Sequence, residues 1–186
     1  MGRLVYGALC SLDGYTEDPD GRFDWATPDE EVHAFVNELE RPVGTYLYGR
    51  RMYETMAAWE TMPTGPDESP AVTDYATLWR RATKVVYSTS LREAPTAHTR
   101  IERVFDADAV ARLKRQSVAD LSIGGPTLAA GAFAAGLIDE LYLIVQPVSV
   151  GGGKPALPPG LRLRLDLLDE LRFGCGAVYL RYAVGQ

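Results

Sequence analysis

An α/β protein with helices on both faces of a central, mixed and mostly parallel sheet is predicted by three observations. The runs YLY (46–48), VVY (85–87) and LYLIV (141–145) are apolar without alternation, as expected of strands covered on both sides. Segments of helical period alternate with such runs through most of the chain. The chain then ends in two successive strand-like segments, which places an antiparallel hairpin at the sheet edge.

Residues 3–10 read as the first strand. In WATPDEE (25–31), Thr27 suits an N-cap, Pro28 the first helical position and Glu30 the third, a capping box that opens a helix over 28–40. A strand over 43–48 passes through a glycine turn into a short helix over 50–57. The polar PTGPDESP (63–70) is a surface loop rather than a linker, because apolar elements on both sides fit one sheet. A helix over 71–81, strands over 83–88 and 101–104, a helix over 107–116 and a strand over 119–123 follow. Pro126 at a first helical position and Gly136 just past an end bracket a helix over 126–135. A strand over 139–147 and a hairpin of 161–171 with 176–184 complete the chain, which is read as one domain over 1–186.

Composition narrows the function classes. A net charge of −6, with 46% hydrophobic and 24% charged residues, is an ordinary soluble balance without the basic surface of a general nucleic-acid binder. The start, MGRLVYGALC, has no charged leader with a cleavage site, and no apolar run approaches the ~20 residues that span a bilayer. A cytoplasmic protein acting on a small molecule, with neither nucleic acid nor membrane as partner, is therefore expected. Cys10, Cys175, His33 and His98 stand apart, so no metal site is expected.

The most informative stretch is LSIGGPTLAAGAFAAGLIDELYLIVQPVSVGGG (121–153): a strand, a glycine pair, a helix and a second strand. Gly124 and Gly125 allow close approach of an anion, and the first amides of the following helix favour negative charge. The same pair also serves as a tight turn, since the full G-x-G-x-x-G fingerprint is absent. Gly49, Arg50 and Arg51 begin the short helix after a strand, where arginine forks match phosphate oxygens or simply face solvent. Ser88 and Thr89 end the next strand with hydroxyls that either donate to a phosphate or cap a turn. Asp13, in SLDGY (11–15), belongs either to an Asp-Gly turn or to a ligand site. Glu30 is either the capping-box residue or a carboxylate near the ligand, where partial burial would raise its pKa for proton transfer.

In that order, SLDGY, W-x-x-P-x-E, YGRRMYE, VVYSTS and the 121–153 segment resemble the dihydrofolate reductase superfamily, and most closely its bacterial riboflavin-biosynthesis reductase branch. The resemblance covers nearly the whole chain and implies a single-domain, three-layer dihydrofolate reductase-like fold. It further implies NADPH as cofactor, with Gly124, Gly125, Pro126, Thr127 and Leu128 at the pyrophosphate. Gly49 belongs to the same binding turn, Arg50, Arg51, Ser88 and Thr89 lie near the adenosine and its 2′-phosphate, and Ala8 approaches the nicotinamide. Asp13, Trp25 and Glu30 then line the substrate side, with Tyr53 as a further aromatic wall and Glu30 ahead of Asp13 as the proton-handling carboxylate. The implied reaction is hydride transfer to a C=N or C=O of a small heterocycle or sugar imine, as in 5-amino-6-(5-phosphoribosylamino)uracil reduction. A dihydrofolate or pteridine reductase and a nucleotide-binding module without turnover are the alternatives. The chain departs from the branch at Gly7, where a lysine is usual, and in GRRMYETMAAW, which replaces a D-x-P-x-L-x-R run. The apolar terminal strands and the related domains point to a homodimer.

Overall fold

The computed structural model describes residues 1–185. Strand β1 (Leu4–Ser11) is followed by a short β2 (Tyr15–Glu17), a 3-10 turn at Asp24–Ala26 and helix α1 (Glu30–Glu40). Strand β3 (Val43–Gly49) runs directly into α2 (Arg50–Met56). Helix α3 (Pro70–Arg81) leads to β4 (Thr83–Tyr87) and β5 (Thr99–Glu102). Helix α4 (Ala107–Gln116), β6 (Asp120–Gly124), α5 (Pro126–Ala134) and β7 (Glu140–Gln146) follow. A two-residue β8 (Lys154–Pro155) precedes the terminal pair β9 (Arg164–Arg172) and β10 (Val178–Gly185).

Eight strands form one sheet in the order β5-β4-β3-β6-β1-β7-β10-β9, parallel from β5 to β7 and antiparallel through β10 and β9. Strand alternation divides the core in two. Leu4, Tyr6, Leu47, Leu121, Ile123 and Leu141 pack with Ala129, Ala132 and Phe133 of α5 and Val110 of α4. On the opposite face, Tyr46, Tyr48 and Val86 meet Tyr53, Tyr75 and Trp79 of α2 and α3, while Tyr142, Ile144 and Tyr179 meet Val32 of α1. The three layers match the predicted fold, and most elements lie within two residues of their predicted bounds.

The start of α1 corrects one expectation. Asp29, not Thr27, is the N-cap: its carboxylate accepts the Val32 N–H at 2.9 Å, which puts Glu30 at the first helical position. The Thr27 hydroxyl is already used, donating to the Asp24 carbonyl at 2.8 Å to close the preceding 3-10 turn. The short strand expected at 101–104 is displaced to Thr99–Glu102, where its register follows Lys84↔Thr99 pairing with β4. The β2–β8 ribbon was not predicted, because two or three paired residues leave no periodic signal.

Beneath α1 the sheet holds a polar interior. Tyr142 on β7 lies beside Gly7 on β1, and a Cβ at Gly7 would stand 2.2 Å from the Tyr142 ring carbon Cζ. The bare glycine lets the Tyr142 phenol pass, so that its hydroxyl donates to Glu40 Oε1 at 2.7 Å. Burial pushes the Glu40 carboxyl above its ordinary range, against the opposing hydrogen bond from Tyr142. A lysine at position 7 has no room here.

Two outcomes follow for stability. Gly7→Ala forces the Tyr142 ring aside and should destabilise the fold by about 1–3 kcal/mol in urea denaturation; an unchanged midpoint would contradict the packing. Glu40 keeps its proton in the folded chain over a range where the unfolded chain has lost it. Its contribution is thus complete below about pH 4.5, the ordinary carboxyl value, and declines as the pH rises toward the folded value. Glu40→Gln mimics the protonated acid and should gain stability relative to the parent between pH 4 and pH 8, on the order of 1 kcal/mol or more per pH unit of raised pKa that the range crosses. A gap independent of pH would refute the assignment.

Candidate active site

Because β1, β6, β3 and β4 run parallel, their carboxyl ends share one pole of the sheet. Open α/β sheets bind ligands at this pole. The pairs Tyr48↔Gly124 and Gly49↔Tyr87 set three turns side by side, those after β6, β3 and β4. The sheet also opens here: β1 pairs with β6 only as far as Tyr6↔Ile123 but with β7 through Ser11↔Gln146. Among the described residues, the stretch of β1 from Ala8 onward has a strand partner on its β7 side alone. Ala8 itself is buried, 9% exposed, in the core cluster that includes Ala129 and Phe133 of α5.

The turn after β6 is shaped by its glycines. A Cβ at Gly124 would come within 2.9 Å of Tyr48 Cε1, and Gly125 has φ +89, a conformation other residues rarely adopt. Pro126 occupies the first position of α5, and helical bonding begins where Ala129 N–H reaches the Gly125 carbonyl at 3.1 Å. The Thr127 and Leu128 amides consequently have no intrahelical partner and face the pole with the positive end of the helix dipole. Leu128 also closes against the turn at Gly49, since a Cβ built there would meet its Cβ at 3.9 Å.

The turn after β4 is built around Ser88, which is buried, with Thr89 exposed beside it. The Ser88 hydroxyl accepts the N–H groups of Leu91 at 2.9 Å and Ser90 at 3.3 Å. Arg103, beyond β5, clamps the same turn by donating Nη1 to the carbonyls of Ser88 at 3.0 Å and Leu91 at 2.6 Å. Sequence reasoning missed Arg103, because the strand that carries it next to Ser88 is distant in the chain. Arg50 and Arg51 are both exposed, yet they diverge. Arg50 faces Glu54 at 3.9 Å, whereas Arg51 lines an open cleft of about 410 Å³ with Glu17, Gly21, Phe23, Glu54 and Thr55.

The residues expected on the substrate side each hold a partner within the chain. Both Asp13 oxygens accept backbone N–H groups, from Gly151 at 2.7 Å and Val150 at 3.1 Å, clasping the end of β1 to the loop after β7. Hydrogen bonds from the Ser11 hydroxyl and from Gly151 and Val150 hold its carboxyl well below the usual range, so it is ionised at neutral pH. Glu30 is exposed rather than partly buried, and its carboxylate accepts the Ser69 hydroxyl at 2.8 and 2.9 Å, joining α1 to the N-cap of α3. Tyr53 is 2% exposed within the core, its hydroxyl 2.9 Å from that of Thr96, and presents no wall to the cleft. Trp25 is half-buried on the 3-10 turn, where Nε1 donates to the Arg22 carbonyl at 3.2 Å.

This architecture has solved counterparts. A protein of Shewanella sp. PV-4, named as a candidate riboflavin biosynthesis protein, superposes with a TM-score of 0.75 at 19% identity, over 99% of both chains. Dihydrofolate reductase from Enterococcus faecalis, solved in complex with NADP(H) and RAB-propyl, superposes with a TM-score of 0.67 at 13% identity over 100% of this chain and 98% of its own. The fold is thus that of the dihydrofolate reductases. Within it, the chain belongs to the RibD C-terminal domain family, which matches residues 3–179. The Bacillus subtilis (strain 168) protein YyaP is 27% identical over 97% of this chain and 94% of its own. Among the described residues, no helix is long and apolar enough to cross a membrane.

Removing the Arg103 clamp by Arg103→Ala should loosen the turn at 88–91 locally. Amide exchange at Ser90 and Leu91 should accelerate by about tenfold or more, the scale of one charge-assisted hydrogen bond, while exchange in β1 and β6 is unchanged. Equal acceleration throughout the sheet would show that Arg103 supports the whole fold instead.

Proposed function

We propose that this protein is an NADPH-dependent reductase that passes hydride to a C=N or C=O of a small heterocyclic or sugar-imine substrate, with riboflavin-pathway pyrimidine reduction as the activity its family supports best. The observation that carries the reading is the alignment of three turns, at Gly124–Leu128, Gly49–Arg50 and Ser88–Thr89, beside the open edge of β1 at Ala8. A dinucleotide fits this line. The turn at Gly124 and Gly125 packs without side chains of its own against Tyr48 and Met52, and the Thr127 and Leu128 amides that follow it meet a pyrophosphate. Arg50, Ser88 and Thr89 take the adenosine end and its 2′-phosphate.

The bound nicotinamide supplies the hydride. The chain's residues bind, orient and limit the access of water. The Gly125 conformation fixes the start of α5, and the Asp13 clasp holds the Val150–Gly151 loop against the end of β1. Asp13 and Glu30 act as clasps in this reading, because one is fixed as an ionised acceptor and the other is exposed on Ser69. The proton then comes from solvent.

Fluorescence titration with both reduced nucleotides tests the cofactor assignment. NADPH should bind more tightly than NADH, and Arg50→Gln should narrow the difference by about tenfold, as expected for one charged phosphate contact. Equal binding of the two nucleotides, or binding of neither, overturns the reading.

A further inference from the structure

The two neighbouring arginines of α2 serve different molecules. Successive helical residues differ by about 100° in direction, and Arg50 and Arg51 diverge accordingly. Arg50 turns toward Glu54, whereas Arg51 enters the open cleft together with Thr55, one turn further on. Across that cleft stands Phe23, which is 49% exposed.

The far wall is preorganised. The Asp18 carboxylate accepts the N–H groups of Asp20 at 2.9 Å and Arg22 at 2.8 Å, and Asp18 N–H reaches the Arg22 carbonyl at 2.9 Å. Arg22 in turn pairs with Asp18 at 3.1 Å and Asp20 at 2.6 Å. This closed turn orders the backbone that leads into Phe23. The charges around the cleft are mostly spent: Glu17 pairs with Lys154, and Glu54 faces Arg50. Among the described residues, Arg51 is the lining cation with no carboxylate within 4.0 Å. An aromatic face opposite an uncompensated guanidinium is complementary to a flat ring that carries an anionic group.

We propose that Arg51 and Phe23 form the acceptor-recognition pair, selecting a planar, anionic substrate, while Arg50 belongs to the cofactor. This rests on the reductase reading for the identity of the cofactor, but the cleft is defined without it. A cleft of about 410 Å³ accommodates a bicyclic ring, being within the ordinary size of small-molecule sites.

The test uses 2-naphthoate and its neutral counterpart 2-naphthamide as probes, titrated by fluorescence with and without saturating NADP+. The intact protein should prefer the carboxylate by about tenfold or more, the scale of one charge-assisted hydrogen bond. Arg51→Gln should abolish that preference without moving the NADP+ Kd, Arg51→Lys should keep part of it, and Phe23→Ala should weaken both probes. Arg50→Gln should do the reverse, weakening NADP+ and sparing the preference for naphthoate. Binding of neither probe, a preference that survives Arg51→Gln, or an NADP+ Kd raised by Arg51→Gln would each overturn the proposal, with thermal melts confirming that the variants fold. If NADP+ fails to bind while naphthoate recognition depends on Arg51, the cofactor reading falls and the cleft assignment stands.

Discussion

The early end of β6 governs the geometry of the site. Gly124 closes the strand beside Tyr48 because a side chain there would strike the Tyr48 ring, and Gly125 then turns the chain through a backbone conformation that only glycine adopts readily. β1 meanwhile continues to Ser11 on the support of β7 alone. The sheet is thereby split at its carboxyl pole, with the start of α5 on one side of the gap and the bare backbone from Ala8 on the other. A longer β6 would pair with this edge, so the same glycines that make a tight turn also leave the end of β1 unpaired on this side.

The interior beneath α1 places a second constraint on the same central strands. Gly7 yields its side-chain volume to Tyr142, and Tyr142 uses it to reach Glu40 across the sheet. The departure from the riboflavin-branch lysine at this position is therefore linked to a rearranged interior. A buried carboxyl in its neutral form can donate as well as accept, which suits it to a cluster that also contains Tyr46 and Ser122.

What was legible in the sequence is what depends on neighbours in the chain. The glycine pair, Pro126 and the apolar run before them place β6 and α5 closely, because a strand, a turn and a helix start are each decided within a few residues. The α1 start was less certain, as Thr27 and Asp29 can both cap and the outcome depended on the 3-10 turn taking the Thr27 hydroxyl. Contacts that span the chain left no local trace. Arg103 reaches Ser88 through strand pairing, Tyr142 and Glu40 are separated by 102 residues, and Glu30 finds Ser69 across two helices. The same limit explains why Asp13 and Glu30 were legible as polar loop residues but not as clasps.

Tyr53 shows how a residue outside the cleft still determines it. Its burial, with the hydroxyl against Thr96, fixes the rotation of the seven-residue α2. At about 100° per residue, Arg51 and Thr55 then fall opposite Tyr53, and Arg50 falls on the flank that carries Glu54. A helix so short has little stability of its own, so its orientation comes from this anchor and from Met52 and Met56 packed against the same core. The divergence of Arg50 and Arg51 is thus set by one buried phenol. Tyr53, expected from the sequence as an aromatic wall, instead lies buried beneath α2 and aims the two arginines.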